Sequence, residues 1–194
     1  MNRVLTSVKK NFVLYFLWAL FAILFIAWGF SMLTKVPEEK KIDIFIHARE
    51  VDENYLNEFI NDNKDDYLME INYRIDDSSE TLLNQQMMTY GTVEADMFII
   101  EKNVLEASNF DNYFLELNKE EWRVLFGNDI SFYTNNQGKA YGIEIDVDFI
   151  NDEDQIFYVL FSNKSLHLGS LTNSEYNGAI NLCKALLERS KNKE

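Results

Sequence analysis

Residues 42–100 read IDIFIHAREVDENYLNEFINDNKDDYLMEINYRIDDSSETLLNQQMMTYGTVEADMFII, and the periodicity changes four times along them. Ile42, Ile44 and Ile46 alternate with Asp43 and Phe45, which predicts a strand of about six residues. Asp52 can cap a helix running through Asn63, with Leu56, Phe59 and Ile60 on one face. Alternation returns over Tyr67–Ile75, with Leu68, Ile71 and Tyr73 among its apolar members. Ser78 or Ser79 then caps a second helix bearing Leu82, Leu83, Met87 and Tyr90, with Gly91 as its stop. Ala95–Ile100 (ADMFII) is a short apolar run of the kind that forms a buried strand. Strand and helix therefore alternate as β-α-β-α-β, and that order predicts an α/β fold with a mostly parallel sheet flanked by helices.

Downstream the pattern is less regular. Asn103–Ala107 predicts a turn or two of helix, Asp111–Leu117 is irregular, and Lys119–Phe126 predicts a helix ended by Gly127. Ile130–Thr134 and Ala140–Val147 read as strands around Asn135-Asn136-Gln137-Gly138, residues that tolerate positive φ. Ile156–Ser162 (IFYVLFS) is a further buried strand. Glu175–Arg189 is an amphipathic helix with Tyr176, Ala179, Ile180, Cys183, Leu186 and Leu187 on one face, so Cys183 reads as a small core residue.

Upstream lies FVLYFLWALFAILFIAWGFSML, Phe12–Leu33, without a charge. As a helix it spans about 33 Å, enough for a bilayer core of roughly 30 Å. It is longer than the apolar region of a cleaved signal peptide, usually about 7–15 residues. Trp28 also occupies the nearest small-residue cleavage candidate. The expectation is an uncleaved signal-anchor at the cell membrane. Residues 1–11 then form a short basic cytoplasmic head, 12–33 the transmembrane helix, 34–41 a stalk (TKVPEEKK, with the only Pro), 42–190 the α/β domain and 191–194 a polar tail. Arg3, Lys9 and Lys10 before the helix equal Lys35, Lys40 and Lys41 after it, so the positive-inside count is balanced. A single anchor with a short basic head favours an extracytoplasmic C-terminal domain.

Composition narrows the function. The 194-residue chain has a formal charge of −14, and without Arg3, Lys9 and Lys10 the remainder carries −17. A surface of this sign disfavours nucleic acid as partner. One Cys excludes an internal disulfide framework and a thiolate zinc site. No GxSxG, HExxH, CxxC or phosphate-cradling Gly loop appears. The expectation is therefore no enzyme, no cofactor and no metal. Asp146, Asp148, Asp152, Glu153 and Asp154 invite a calcium reading, but an EF-hand counted from Asp146 would place Ile150, Asn151 and Phe157 at its fifth, sixth and twelfth positions. A solvated acidic loop is the simpler reading.

The run from Ala95, the element Phe114–Leu117 and FYTNNQGKAYGIEI (Phe132–Ile145) resemble a stretch of bacterial extracellular solute-binding proteins of the type II periplasmic-binding fold, as in the sugar-binding lipoproteins of ABC transporters. Those proteins carry a phrase of the form Y-T-x-x-G-K-x-Y-G-I-P, and Glu144 stands here at the Pro position. FYVLFSNKSLHLGSL (Phe157–Leu171) resembles the return into their first lobe. The resemblance covers Ile42 to about Ser190. It implies a single lobe, with the acidic loop 146–154 where a second lobe would be inserted and a membrane helix in place of the lipobox Cys. It also implies a membrane-tethered, non-catalytic binding or interaction module. Such a module holds a small sugar-like solute or docks to another envelope protein. The alternative is an accessory or sensor subunit of an ABC-type transporter, and a hydrolase is third.

In α/β folds ligands gather at the carboxyl ends of strands. That rule selects His47 and Arg49 after the first strand, and Glu101 and Lys102 after the third. Tyr141 of the YGI phrase joins them as a ligand-binding candidate. His167 falls in a turn and reads as structural.

Overall fold

Six strands form one mixed sheet in the computed structural model, which describes residues 11–78, 80–107, 111–151, 155–172 and 175–191. The chain divides into two units, Met1–Pro37 and Glu38–Glu194.

The first unit is helix α1, Phe12–Thr34. None of its side chains is buried, and it is long and apolar enough to cross a membrane. It extends one residue beyond the predicted end at Leu33. Its last turn is closed by the Lys35 amide donating to the Ser31 carbonyl and by the Thr34 hydroxyl donating to Phe30 O at 2.9 Å.

The second unit opens with a 3-10 turn, Glu38–Lys40. β1 (Lys41–His47), α2 (Glu53–Asp62), β2 (Glu70–Asp76), α3 (Glu80–Gln86) and β3 (Met97–Glu101) follow, in the alternating order read from the sequence. Asp52 caps α2, its carboxylate accepting from the Asn54 and Tyr55 amides at 3.0 and 3.1 Å. Gly91 does not stop the second helix. The chain continues from α3 through a π turn, Met87–Gly91, into Thr92–Glu94. Met87 is fully buried there and Tyr90 packs on Phe45, so tertiary contact overrides the stop. Ser79 lies outside the described residues.

Next come α4 (Lys102–Ala107), α5 (Lys119–Phe126), β4 (Phe132–Thr134), β5 (Ala140–Ile145), β6 (Phe157–Phe161) and α6 (Gly178–Lys191). The strand order is β2-β1-β3-β6-β5-β4. β1 pairs in parallel with β2 and β3, whereas β3–β6, β6–β5 and β5–β4 are antiparallel. The sheet is therefore mixed, which corrects the mostly parallel sheet expected. The cause is connectivity. β4 and β5 are joined by a tight turn in which Gly138 sits at φ +82° and its amide donates to Asn135 O at 3.0 Å. Between β5 and β6 no helix is assigned among the described residues, and a parallel return needs a long crossover.

The sheet is buried on both faces. Ile42, Ile44, Ile46, Met97, Ile99, Val159 and Phe161 pack with Leu56, Phe59, Trp122, Leu182 and Leu186 of α2, α5 and α6. Phe45, Phe98, Ile100 and Leu160 point to the other face, where Leu83, Met87, Val104 and Leu105 cover them. Cys183 is wholly buried in the first cluster, and burial pushes its thiol far above the ordinary value, so it is unreactive. In the loop after β5, Val147, Phe149 and Ile150 are buried, while Asp148 accepts from the Tyr55 hydroxyl at 3.1 Å. This stretch of the loop is therefore a packed segment as well as an acidic one. Asp152, Glu153 and Asp154 lie outside the described residues.

Candidate functional site

The chain order within the sheet creates one place where the strand direction of travel reverses. β2 lies on one side of β1 and β3 on the other, so the connection after β2 passes back across β1. Helices leaving β1 and β3 diverge at that point, and a crevice opens beyond the carboxyl ends of the strands. Here it has a volume of about 380 Å³ and is lined by residues including His47, Arg49, Asp77, Ser78, Glu101, Asn103 and Gln155.

Each wall follows from local structure. His47 ends β1, and its register partner on β2 is Asp76. His47 Nδ1 stands 3.5 Å from Asp76 Oδ2 and makes no hydrogen bond. The Asp76 carboxylate is instead occupied by the Ser78 hydroxyl, which donates to Oδ2 at 2.9 Å. Glu101 ends β3 and is 7% exposed. Its Oε1 accepts from Asn103 Nδ2 at 2.9 Å, and the same amide nitrogen donates to Gln155 Oε1 at 2.9 Å. Asn103 thus ties the end of β3 to the segment entering β6.

Of the residues chosen from the sequence, the structure brings His47, Arg49 and Glu101 together on this crevice. Lys102 is adjacent in sequence, but its ammonium lies 3.8 Å from Glu106 one turn along α4. Tyr141 is on β5, 7% exposed, in the second core cluster, and is not among the residues that line the crevice. Asp77, Ser78, Asn103 and Gln155 were not among the ligand-binding candidates, Ser78 being read as a helix cap. Asp77 reads locally as a turn residue, and no periodicity links Asn103 with Gln155. The available signal was the strand-end rule itself, which applies to β2 as much as to β1 and β3.

A second polar group lies at the opposite, amino ends of the strands. His167 is 1% exposed. Its Nε2 lies 3.1 Å from the Glu38 carbonyl, which can only accept, so Nε2 carries the proton. Nδ1 then accepts from the Tyr67 hydroxyl at 3.2 Å. Asp96 accepts from the Ser165 hydroxyl at 2.7 Å and from the Asp43 amide at 3.1 Å. Asp43 is in turn paired with Lys41 at 2.8 Å and accepts from Asn72 at 3.1 Å. These bonds are mutually satisfied and secure the start of β1, so the cluster is structural. Desolvation nevertheless raises the Asp96 carboxyl above its usual value, against the opposing hydrogen bonds from Ser165 and Asp43. A carboxyl raised on folding stabilises below its unfolded value near 3.9 and loses that contribution as pH rises through the folded value. Asp96→Asn removes this dependence. Its urea midpoint relative to the parent should therefore improve from acidic to neutral pH, and an unchanged difference would contradict the assignment.

Among the described residues no group of three or more His, Cys, Asp or Glu side chains is placed to hold a metal ion. Compared with family models, curated proteins and solved structures, the chain shows no significant match.

Proposed function

We propose that this chain is a membrane-tethered, non-catalytic binding module that holds a small polar solute in the crevice at the carboxyl ends of β1, β2 and β3. The observation that carries the reading is the crevice itself. Among the described residues seven polar side chains, from three strand ends and a distant loop, converge on it, at the point where open α/β sheets take ligands. The charge is mixed, with Arg49 facing solvent beside Asp77 and Glu101, which suits a ligand bearing both donors and acceptors. Binding is favoured over catalysis because the Ser78 hydroxyl donates to Asp76 and not to His47. A Ser–His nucleophile pair needs the reverse arrangement. Helix α1 serves as the tether, with the domain on the extracytoplasmic face. The resemblance of Ala95–Ile100 and Phe132–Ile145 to solute-binding proteins points the same way, and a mixed sheet with helices on both faces is compatible with one lobe.

The test is isothermal titration calorimetry on the full chain in nanodiscs against neutral sugars, amino acids and amines. At least one class should bind, and His47→Ala should weaken that binding about tenfold, equivalent to about 1.4 kcal/mol. A flat response from every class would overturn the reading.

A further inference from the structure

We propose that the crevice is built for a cation, a small amine-bearing solute whose ammonium group rests against Glu101; this rests on the solute-binding reading above and names the ligand's class. Glu101 carries the argument. It is 7% exposed, yet its carboxylate has one hydrogen bond, from Asn103, and no ion pair among the described residues. The nearest lysine in sequence, Lys102, has its ammonium 3.8 Å from Glu106, one turn along α4. Buried carboxylates are ordinarily paired with a cation or with several donors, because desolvation is costly. Asn103 occupies one acceptor site of the Glu101 carboxylate, and the group lines the crevice, so acceptor capacity remains there for a cationic ligand.

His47 supplies the second observation. Its side chain is 10% exposed and its Nδ1 makes no hydrogen bond, standing 3.5 Å from the Asp76 carboxylate, so a second polar group at the crevice has hydrogen-bonding capacity to spare. Around these two the carboxylates predominate. Among the described residues Asp77 and Glu101 line the crevice and Asp76 stands 3.5 Å behind His47, against the guanidinium of Arg49. Such a balance concentrates cations in a recess. A bare metal ion fits less well than an amine, since no three ligating side chains converge among the described residues. An ammonium group asks only for one or two acceptors, and Ala48 and Val104, which also line the crevice, offer apolar surface for its carbon chain.

Matched probes test this on the full chain in nanodiscs. Glucosamine is titrated beside glucose, and diaminobutane beside butanediol, near neutral pH. The amine of each pair should bind about tenfold or more tightly than its neutral partner. Glu101→Gln should abolish that preference with the thermal midpoint of the ligand-free protein kept or raised, because it removes the charge that faces the crevice and keeps an oxygen for Asn103. Equal binding within both pairs overturns the cation inference and leaves the solute reading standing. Binding of neutral solutes with none of either amine does the same. Absence of heat from every solute overturns both. A lowered midpoint in Glu101→Gln would mark Glu101 as a structural acceptor for Asn103 and also overturn the inference.

Discussion

Replacing Ile23 and Ala27 together by Arg should release the chain from the membrane. Both lie near the middle of α1, one turn apart, and they share a face of that helix. An Arg at the centre of an inserting helix costs about 2.5–3.5 kcal/mol, so the pair costs about 5–7 kcal/mol if the two sites add. The same substitutions at Phe12 and Leu33, beside the interfaces, should be tolerated because long basic side chains reach water from there. Alkaline carbonate extraction of membranes reads the outcome. Full retention of the central double variant in the membrane pellet would show that α1 is not a spanning anchor.

Trp122→Ala should destabilise the domain by about 3–5 kcal/mol, a large share of the 5–15 kcal/mol typical of a folded domain. Trp122 is 1% exposed. Its ring lies 5.3 Å from that of Phe126 and 5.0 Å from that of Phe161, so it joins α5 to the central strand β6. Neither ring can follow the loss, since Phe126 is fixed on the same helix and Phe161 is held in the sheet. A cavity therefore remains, and the cost exceeds the transfer of indole alone. Urea unfolding of the segment from Glu38 onward, which contains both core clusters, measures it. A loss below about 1 kcal/mol would mean that the site collapses around the gap. Val124, on the same helix, is 86% exposed, and its replacement by Ala should change stability by less than about 0.5 kcal/mol.

Much of this architecture was legible because its signals are local. Ile42, Ile44 and Ile46 alternate, Asp52 offers a cap, and Leu56, Phe59 and Ile60 share a helix face; each decision needs only a few neighbouring residues. The mixed sheet was less legible because strand direction depends on what joins the strands. Residues 148–155 gave no periodic signal from which to judge a crossover. His167 shows the same limit at one residue. It stands in a turn after Lys164 and Ser165, where a polar side chain is ordinarily solvated. Tyr67, a hundred positions earlier, and the Glu38 carbonyl hydrogen-bond its two ring nitrogens, and nothing around residue 167 announces either. At the crevice, the strand-end rule found His47, Arg49 and Glu101 because those positions follow from strand boundaries. It did not find Asn103 and Gln155, whose proximity exists only once β6 lies beside β3. Tyr141 illustrates the converse. An aromatic in a familiar phrase drew notice, but β5 directs it into the core.

The attachment of β1 has a mechanical consequence. The polypeptide leaving α1 reaches the domain at Glu38 and becomes, three residues later, a strand with a parallel neighbour on each side. The crevice lies at the far end of that same strand. On the tethered binding reading proposed above, a pull applied at Glu38 enters lengthwise along β1. The hydrogen bonds to β2 and β3 then resist in shear, all loaded at once, and do not open in succession as they would at a peeled edge. A strand held on both sides in this way spreads a lengthwise load over two neighbours.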